Sequence, residues 1–295
     1  MILGGITDEN SDCSLARNYW LNENQYLDEN GKLAIGWQQI DGKTYYEGEN
    51  LTQEAFFQSQ MSGGDITTSQ PSPGDVMDLW ERVLEEGYDD LVYIPMSSGL
   101  SNSCASSMIL ARDYDGKVQV ADNHRISVTQ YASVLDAVKL ANEGKNAFEI
   151  KKALEAAAYD ASIYIAVDTL EFLKKGGRIT PAAAAIGSVL NIKPILSIQG
   201  DRLDAYAKAR GMKRCQAKLI EALKNDFKER LKDADMSKVR VGTAGSFRNA
   251  ADAEAWRQEV ARAFPGFDVV YGNLGCSIAT HTGPEARGIG FYKVL

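Results

Sequence analysis

The chain has 295 residues, 44% of them hydrophobic and 24% charged, and a formal net charge of −8. That length exceeds what one hydrophobic core usually serves, so a globular protein of two domains is expected. The negative balance argues against a nucleic acid partner, which would need a local basic patch against the overall field.

The chain opens with Met1-Ile2-Leu3-Gly4-Gly5-Ile6 and then Thr7-Asp8. This reads as a first strand entering a loop, not as a signal peptide with a basic start and a long apolar core. No apolar run approaches the ~20 residues that span a bilayer. A cytoplasmic protein with no transmembrane segment is expected, and transient contact with a membrane surface is compatible with that. Cys13, Cys104, Cys215 and Cys276 are scattered and form no Cys-x-x-Cys pair. They read as reduced thiols. The only histidines, His124 and His281, stand far apart, so no metal site is expected.

Short apolar runs alternate with amphipathic stretches, the pattern of an α/β protein. Val76, Leu79, Trp80, Val83 and Leu84 fall at helical spacing, and Gly87 ends that helix. Leu91 to Ile94 reads as a buried strand. A small-residue loop, Pro95 to Ser101, leads into a helix running toward Arg112. Val118 to Val120 is a further strand, and Tyr131, Val134, Leu135 and Val138 mark a helix ending near Gly144. Strand, loop, helix, strand, helix predicts a parallel, Rossmann-like layer.

The second half reads differently. Strands are predicted at Ile163 to Val167 and Lys193 to Ile198. Gln199-Gly200-Asp201 is a turn signal that folds Arg202 to Lys208 back as a hairpin. Leu219, Leu223, Phe227 and Leu231 mark a long helix. Val239 to Thr243, a helix through Trp256 and Val260, Val269 to Tyr271, and Gly288 to Tyr292 complete an α+β pattern. The expected division is residues 1–158, an N-terminal α/β domain, and residues 159–295, a C-terminal α+β domain.

Four polar loops carry the candidate chemistry. In Thr67 to Pro73, two prolines forbid a helix. Ser72 can cap the helix that follows and Pro73 suits its first turn. Thr68 and Ser69 remain upstream of that cap. Ser97-Ser98-Gly99-Leu100-Ser101 follows a predicted parallel strand, where ligands sit in open α/β sheets, and a helix N-terminus beyond it suits an anion. A Ser-rich loop with caps gives the same spacing. Lys174-Lys175-Gly176-Gly177-Arg178 can hold phosphate or simply end a helix. It is not a Walker loop. Thr280-His281-Thr282-Gly283-Pro284 places a histidine among hydroxyls, either as an anion partner or as a turn residue bonded to backbone. His124, after Asp122-Asn123, reads as a surface residue. No Gly-x-Ser-x-Gly elbow supports a hydrolase, and no kinase loop or Mg²⁺ carboxylate cluster supports a phosphotransferase.

Taken together, these stretches resemble the DegV family. Thr68-Ser69-Gln70-Pro71-Ser72 and Ser97-Ser98-Gly99-Leu100-Ser101 match two of its elements. Val167 to Ile179, with Glu171-Phe172-Leu173-Lys174-Lys175-Gly176-Gly177-Arg178 inside it, matches its most specific signature. Gly187 to Leu196 is similar to a further block, and Thr280-His281-Thr282-Gly283-Pro284 resembles its C-terminal motif. Several positions depart from the pattern. Asn102 and Cys104 follow the serine loop, Arg210 lies in an altered basic run, and Glu285 stands where the family has glycine.

The resemblance implies a two-domain fold with a long-chain fatty acid in the cleft between domains. It implies a lipid-binding protein with no catalytic residues and no cofactor of its own. Its role would be that of the lipid-binding subunit of a fatty acid kinase, whose ATP-binding subunit converts the bound acid to an acyl phosphate. The carboxylate-holding residues carry over to Thr68, one or both of Ser97 and Ser98, and His281, and a partner or phosphate contact to Arg210. Ser69 and Arg178 stand within the matched motifs and join the candidate ligand site. The acyl chain is expected against Ala182 to Ile186, Val189, Leu190 and Ile192, with Ile186 as the test position. The alternatives are a binder of another apolar carboxylate, such as a polyprenyl or aromatic acid, and a phosphotransferase in its own right.

Overall fold

The structure is a computed structural model. It describes residues 51–184, 192–199 and 202–295, with the backbone of short strands among the first 46 residues. Those strands are β1 (Ile2–Leu3), β2 (Trp20–Asn22), β3 (Gln25–Leu27), β4 (Leu33–Ile35), β5 (Trp37–Ile40) and β6 (Lys43–Tyr46). Strands β2, β3 and β4 form an antiparallel meander. Helix α1 (Gln53–Met61) follows, then β7 (Ile66–Thr68). Strand β5 pairs antiparallel with both β6 and β7.

The expectation of a loop from Thr67 onward is corrected here. The β-branched residues Ile66, Thr67 and Thr68 suit a strand, and β7 finds a partner in β5. The loop starts at Ser69, where Pro71 and Pro73 prevent further pairing. Helix α2 (Pro73–Glu85) begins as the sequence suggests, with the Ser72 hydroxyl accepting from Asp75 N–H at 3.1 Å and Pro73 in the first turn.

The parallel layer consists of β1, β8 (Leu91–Tyr93) and β9 (Val118–Val120), in that order. Around it lie α2, α3 (Ser103–Leu110), α4 (Ser127–Asn142) and α5 (Ala147–Ala156). Val76, Leu79, Trp80 and Val83 of α2 bury against Leu91, Tyr93, Val118 and Val120. Val92 and Ile94 point the other way, onto Val134, Ala137, Ile150 and Leu154 of α4 and α5. Successive strand residues face opposite sides, so each strand needs a helix on both faces and reads as a continuous apolar run. Helix α5 escaped the sequence reading, although its capping box was legible. Asn146 accepts from Glu149 N–H while Glu149 accepts from Asn146 N–H.

Beyond residue 160 lies a six-stranded mixed sheet in the order β12-β11-β10-β15-β13-β14. Its strands are β10 (Ala161–Ala166), β11 (Ile192–Ile198), β12 (Asp204–Arg210), β13 (Val239–Gly245), β14 (Val269–Asn273) and β15 (Arg287–Lys293). Its helices are α6 (Glu171–Gly176), α7 (Pro181–Ala184), α8 (Met212–Glu229), α9 (Ala250–Ala263) and α10 (Cys276–Thr282). Strands β11 and β12 form the expected antiparallel hairpin. Strands β13 and β14 pair parallel, with α9 between them in the chain.

The two faces of this sheet have different employment. On one, Tyr164, Ile195, Ile289 and Phe291 pack with Leu219 and Leu223 of α8 and with Trp256 and Val260 of α9. On the other, Ile165, Leu196 and Ile198 gather with Leu170, Leu173, Ile179 and Leu203, and reach Leu100 of the N-terminal half. Helix α4 crosses to this second face and contacts β13, β14 and β15. Among the described residues, no helix is long and apolar enough to cross a membrane.

Candidate functional site

Helix α1 and strand β7 are held against α10, which lies more than 200 residues further along the chain. Leu51, Phe56, Phe57 and Ile66 share a core with Cys276 and Ala279. The Gln60 side-chain amide donates to the carbonyls of Ala279 (3.0 Å) and Thr280 (3.4 Å). This docking sets Thr68, the last residue of β7, beside His281. Thr68 Oγ1 and His281 Nε2 are 2.9 Å apart. His281 therefore sits in the last turn of a helix and not in a turn, as its Gly-Pro neighbours suggested. Thr280 Oγ1 donates to Cys276 O, and Gly283 closes the helix at φ 75°.

Burial, with a smaller share from the nearby Arg178 charge, pushes the His281 imidazole down to about 4. It is neutral at physiological pH. Its Nδ1 is buried with no hydrogen-bond partner among the described residues, and a Cβ built on Gly176 would collide with it. An unsatisfied lone pair costs less than an unsatisfied N–H. We therefore assign the proton to Nε2, which donates to Thr68 Oγ1. The threonine O–H then points elsewhere and is available to an acceptor.

Arg178 is placed by the end of α6. Gly177 adopts φ 67°, and the N–H groups of Gly177 and Arg178 return to the carbonyls of Lys174 and Leu173. That pair of bonds is a Schellman cap, which explains the second glycine. Arg178 Nε donates to Leu100 O at 3.3 Å and Nη1 donates to Gly176 O. No carboxylate of the described residues pairs with the guanidinium. Among the described residues, a cation without a carboxylate partner, a hydroxyl and a neutral imidazole thus line one cavity, an arrangement that attracts an anion.

These groups border a cavity of about 880 Å³, counting its solvent-open part. Ligand pockets typically run from about 300 to 1,000 Å³. Its apolar wall comes from both halves of the chain: Met96, Leu100 and Ile126 from the loops after β8 and β9, and Ile163, Ile165, Ile198, Leu203, Leu274 and Ile278 from the second half. Thr68, Ser69, Arg178 and His281 all line it.

Ser97 and Ser98 do not. Ser97 is fully buried, its hydroxyl accepts from Gly99 N–H, and its carbonyl accepts from Leu100 and Ser101 N–H. It shapes the loop. Ser98 is exposed, and its N–H donates to Asp122. Ser101 is the serine of this loop on the cavity wall. Arg210 is exposed at the end of the edge strand β12, away from the cavity lining. Ile186, Val189 and Leu190 lie outside the described residues. Ala183 is buried in the core, and Ile192 is half-buried and does not line the cavity. The sequence reading missed the sheet face itself, along with Gln70, Ser277 and Ser127. Ser127 follows β9, so the rule that pointed to the loop after β8 also pointed there. Ser127 (φ 57°) and His124 (φ 54°) both hold the left-handed backbone region. His124 is half-buried and stacks on Tyr159, against the expectation of a surface residue.

A two-domain α/β chain with a cavity of this composition has clear relatives. The sequence model described as "Uncharacterised protein, DegV family" matches residues 39–294. A DegV domain-containing protein of Deinococcus radiodurans is 30% identical over 85% of this chain and 86% of its own length. One of Listeria innocua is 31% identical over 85% and 87%. The chain belongs to the DegV family. Among solved structures, a DegV family protein of Thermus thermophilus described by its fatty acid binding superposes with a TM-score of 0.76 and 32% identity, covering 87% of this chain and 90% of that one. DegV of Bacillus subtilis, described as a fatty acid binding protein, gives 0.73 and 27%, covering 87% and 89%.

Proposed function

We propose that this chain binds a long-chain fatty acid in the cavity, with the carboxylate at Thr68 and Arg178 and the acyl chain along the apolar sheet face. The observation that carries the reading is the cavity's asymmetry. Its polar part offers a cation without a carboxylate partner among the described residues and a hydroxyl oriented by a neutral histidine. The remainder is walled mainly by isoleucine and leucine. Burying a ~16-carbon chain at about 0.8 kcal/mol per methylene supplies roughly 10 kcal/mol or more of gross driving force. Association and ordering offset several kcal/mol of it. The head group therefore fixes orientation more than affinity.

The proposal extends to a division at residues 1–158 and 159–295 and to a cytoplasmic lipid carrier without catalysis of its own. A partner kinase would supply the γ-phosphoryl group of ATP. A carboxylate oxygen would form the new P–O bond as ADP leaves. Arg210, exposed and outside the cavity, is the candidate contact to that partner.

Native mass spectrometry of the purified protein, followed by extraction, tests the reading. A bound fatty acid, lost from folded Thr68→Ala/Arg178→Gln, is expected. A folded wild-type protein that is empty and takes up no added fatty acid would overturn it. Extraction of another apolar carboxylate would keep the site and replace the ligand.

A further inference from the structure

The cavity floor is a sheet, so its shape is set by which residues face upward across neighbouring strands. Backbone pairing puts Ile165 of β10 opposite Gly288 of β15, and Gly288 opposite Ala244 of β13. The adjacent row on the same face runs Ile163, Gly290, Gly242. Both rows fall from isoleucine to a small residue, yet the small residues have different causes.

In the second row the packing of the protein requires glycine. A Cβ on Gly242 would lie 2.8 Å from Val128 Cγ2 of α4, and one on Gly290 would strike the Ser162 carbonyl. These positions let the helix and the strands approach. Gly288 is different. A Cβ there would meet Ala244 Cβ, Ala244 O and Tyr164 O, all at 3.7 Å, which is ordinary van der Waals distance. Among the described residues nothing forbids a side chain, and there glycine in a strand interior is a cost without a packing return. Gly288 and Ala244 both line the cavity.

We propose that Gly288 is a specificity-determining residue. Its missing side chain forms the trough through which the acyl chain passes, and its size limits the length of acid accepted. This rests on the fatty acid reading above. Gly288 stands opposite Ile165 on the cavity floor and takes no part in the hydrogen bonds that hold Thr68, Arg178 and His281. Added bulk there blocks the chain partway and leaves the carboxylate contacts untouched.

The test measures binding of straight-chain saturated acids, from decanoic to stearic, to delipidated wild type, Gly288→Ala and Gly288→Val. The expected result is a preference that moves to shorter acids, further in the valine variant. Each methylene denied burial weakens binding of the longest acids about fourfold. Delipidated Gly288→Ala is expected to melt no lower than wild type, whereas Gly290→Ala melts lower. If both Gly288 variants are folded and keep the wild-type preference, or if delipidated Gly288→Ala melts well below wild type, the proposal fails. A wild type that binds none of the acids defeats the fatty acid reading instead, a separate outcome.

Discussion

Thr68 Oγ1 and His281 Nε2 lie 2.9 Å apart although 213 residues separate them in the chain. The contact joins the end of a short strand to the last turn of a short helix. With the imidazole proton on Nε2, the histidine fills one acceptor site of the hydroxyl and directs its O–H toward the cavity. Thr68→Val is expected to weaken fatty acid binding by about 1 kcal/mol, roughly fivefold. Because His281 acts through Thr68, the same substitution made in His281→Gln should cost much less. A double-mutant cycle by calorimetry measures that coupling. Additive effects would separate the two residues.

The depressed pKa of His281 links stability to pH. Unfolded, the group titrates near 6.5; folded, near 4. Between those values the unfolded chain binds more protons, so stability falls as pH drops through that window. The loss contributed by this group is about 3 kcal/mol. Urea midpoints of delipidated protein between pH 7 and about 4 should show it, and His281→Gln should flatten that part of the curve.

Gly176 reverses a common rule. Replacing a helical glycine by alanine usually stabilises by about 0.5–1 kcal/mol. Here the added Cβ would lie 2.8 Å from His281 Cε1 and closer still to Nδ1. Gly176→Ala is therefore expected to destabilise by about 1–3 kcal/mol and to reduce lipid retention by displacing the imidazole. Thermal melting together with lipid extraction checks both. A more stable variant with intact binding would mean that the ring yields easily.

Glu285 is a non-glycine residue that holds φ 63°. Its carboxylate accepts from Arg248 Nε at 3.0 Å and sits 3.7 Å from Arg287 Nη2. A non-glycine residue in the left-handed region costs about 1–2 kcal/mol. The Arg248 side chain is 51% exposed, so its ion pair is worth under about 1 kcal/mol. Strain outweighs the pair, and Glu285→Gly is expected to raise stability by up to about 1 kcal/mol. A denaturant titration that showed a clear loss would assign the larger share to the arginines.

What the sequence determined by itself was local. Apolar runs and helical spacing located α2, β8, β9, α8, β13, α9 and β14, because burial imposes periods of 2 and 3.6 on any strand or helix. Ser72-Pro73 marked the start of α2, and Gly176-Gly177 offered a helix end as one of two readings. The ordered motifs pointed to the DegV family, to which the chain belongs. Short elements without a clear period escaped: α1, β7 and α10 owe their form to what they pack against, not to a pattern of their own.

Only the tertiary structure decided which polar residues meet. Ser97 and Ser98 read alike in the sequence, yet one turns inward to hold its loop and the other faces solvent, leaving Ser101 on the cavity wall. The burial that makes His281 neutral comes from chain segments up to about 200 residues away. So does the difference between Gly288 and Gly290, which are indistinguishable in the run Gly288-Ile289-Gly290. One faces open cavity and the other faces a carbonyl, because strand pairing brings distant backbone within contact distance. No local signal carries that information, since it resides in the register.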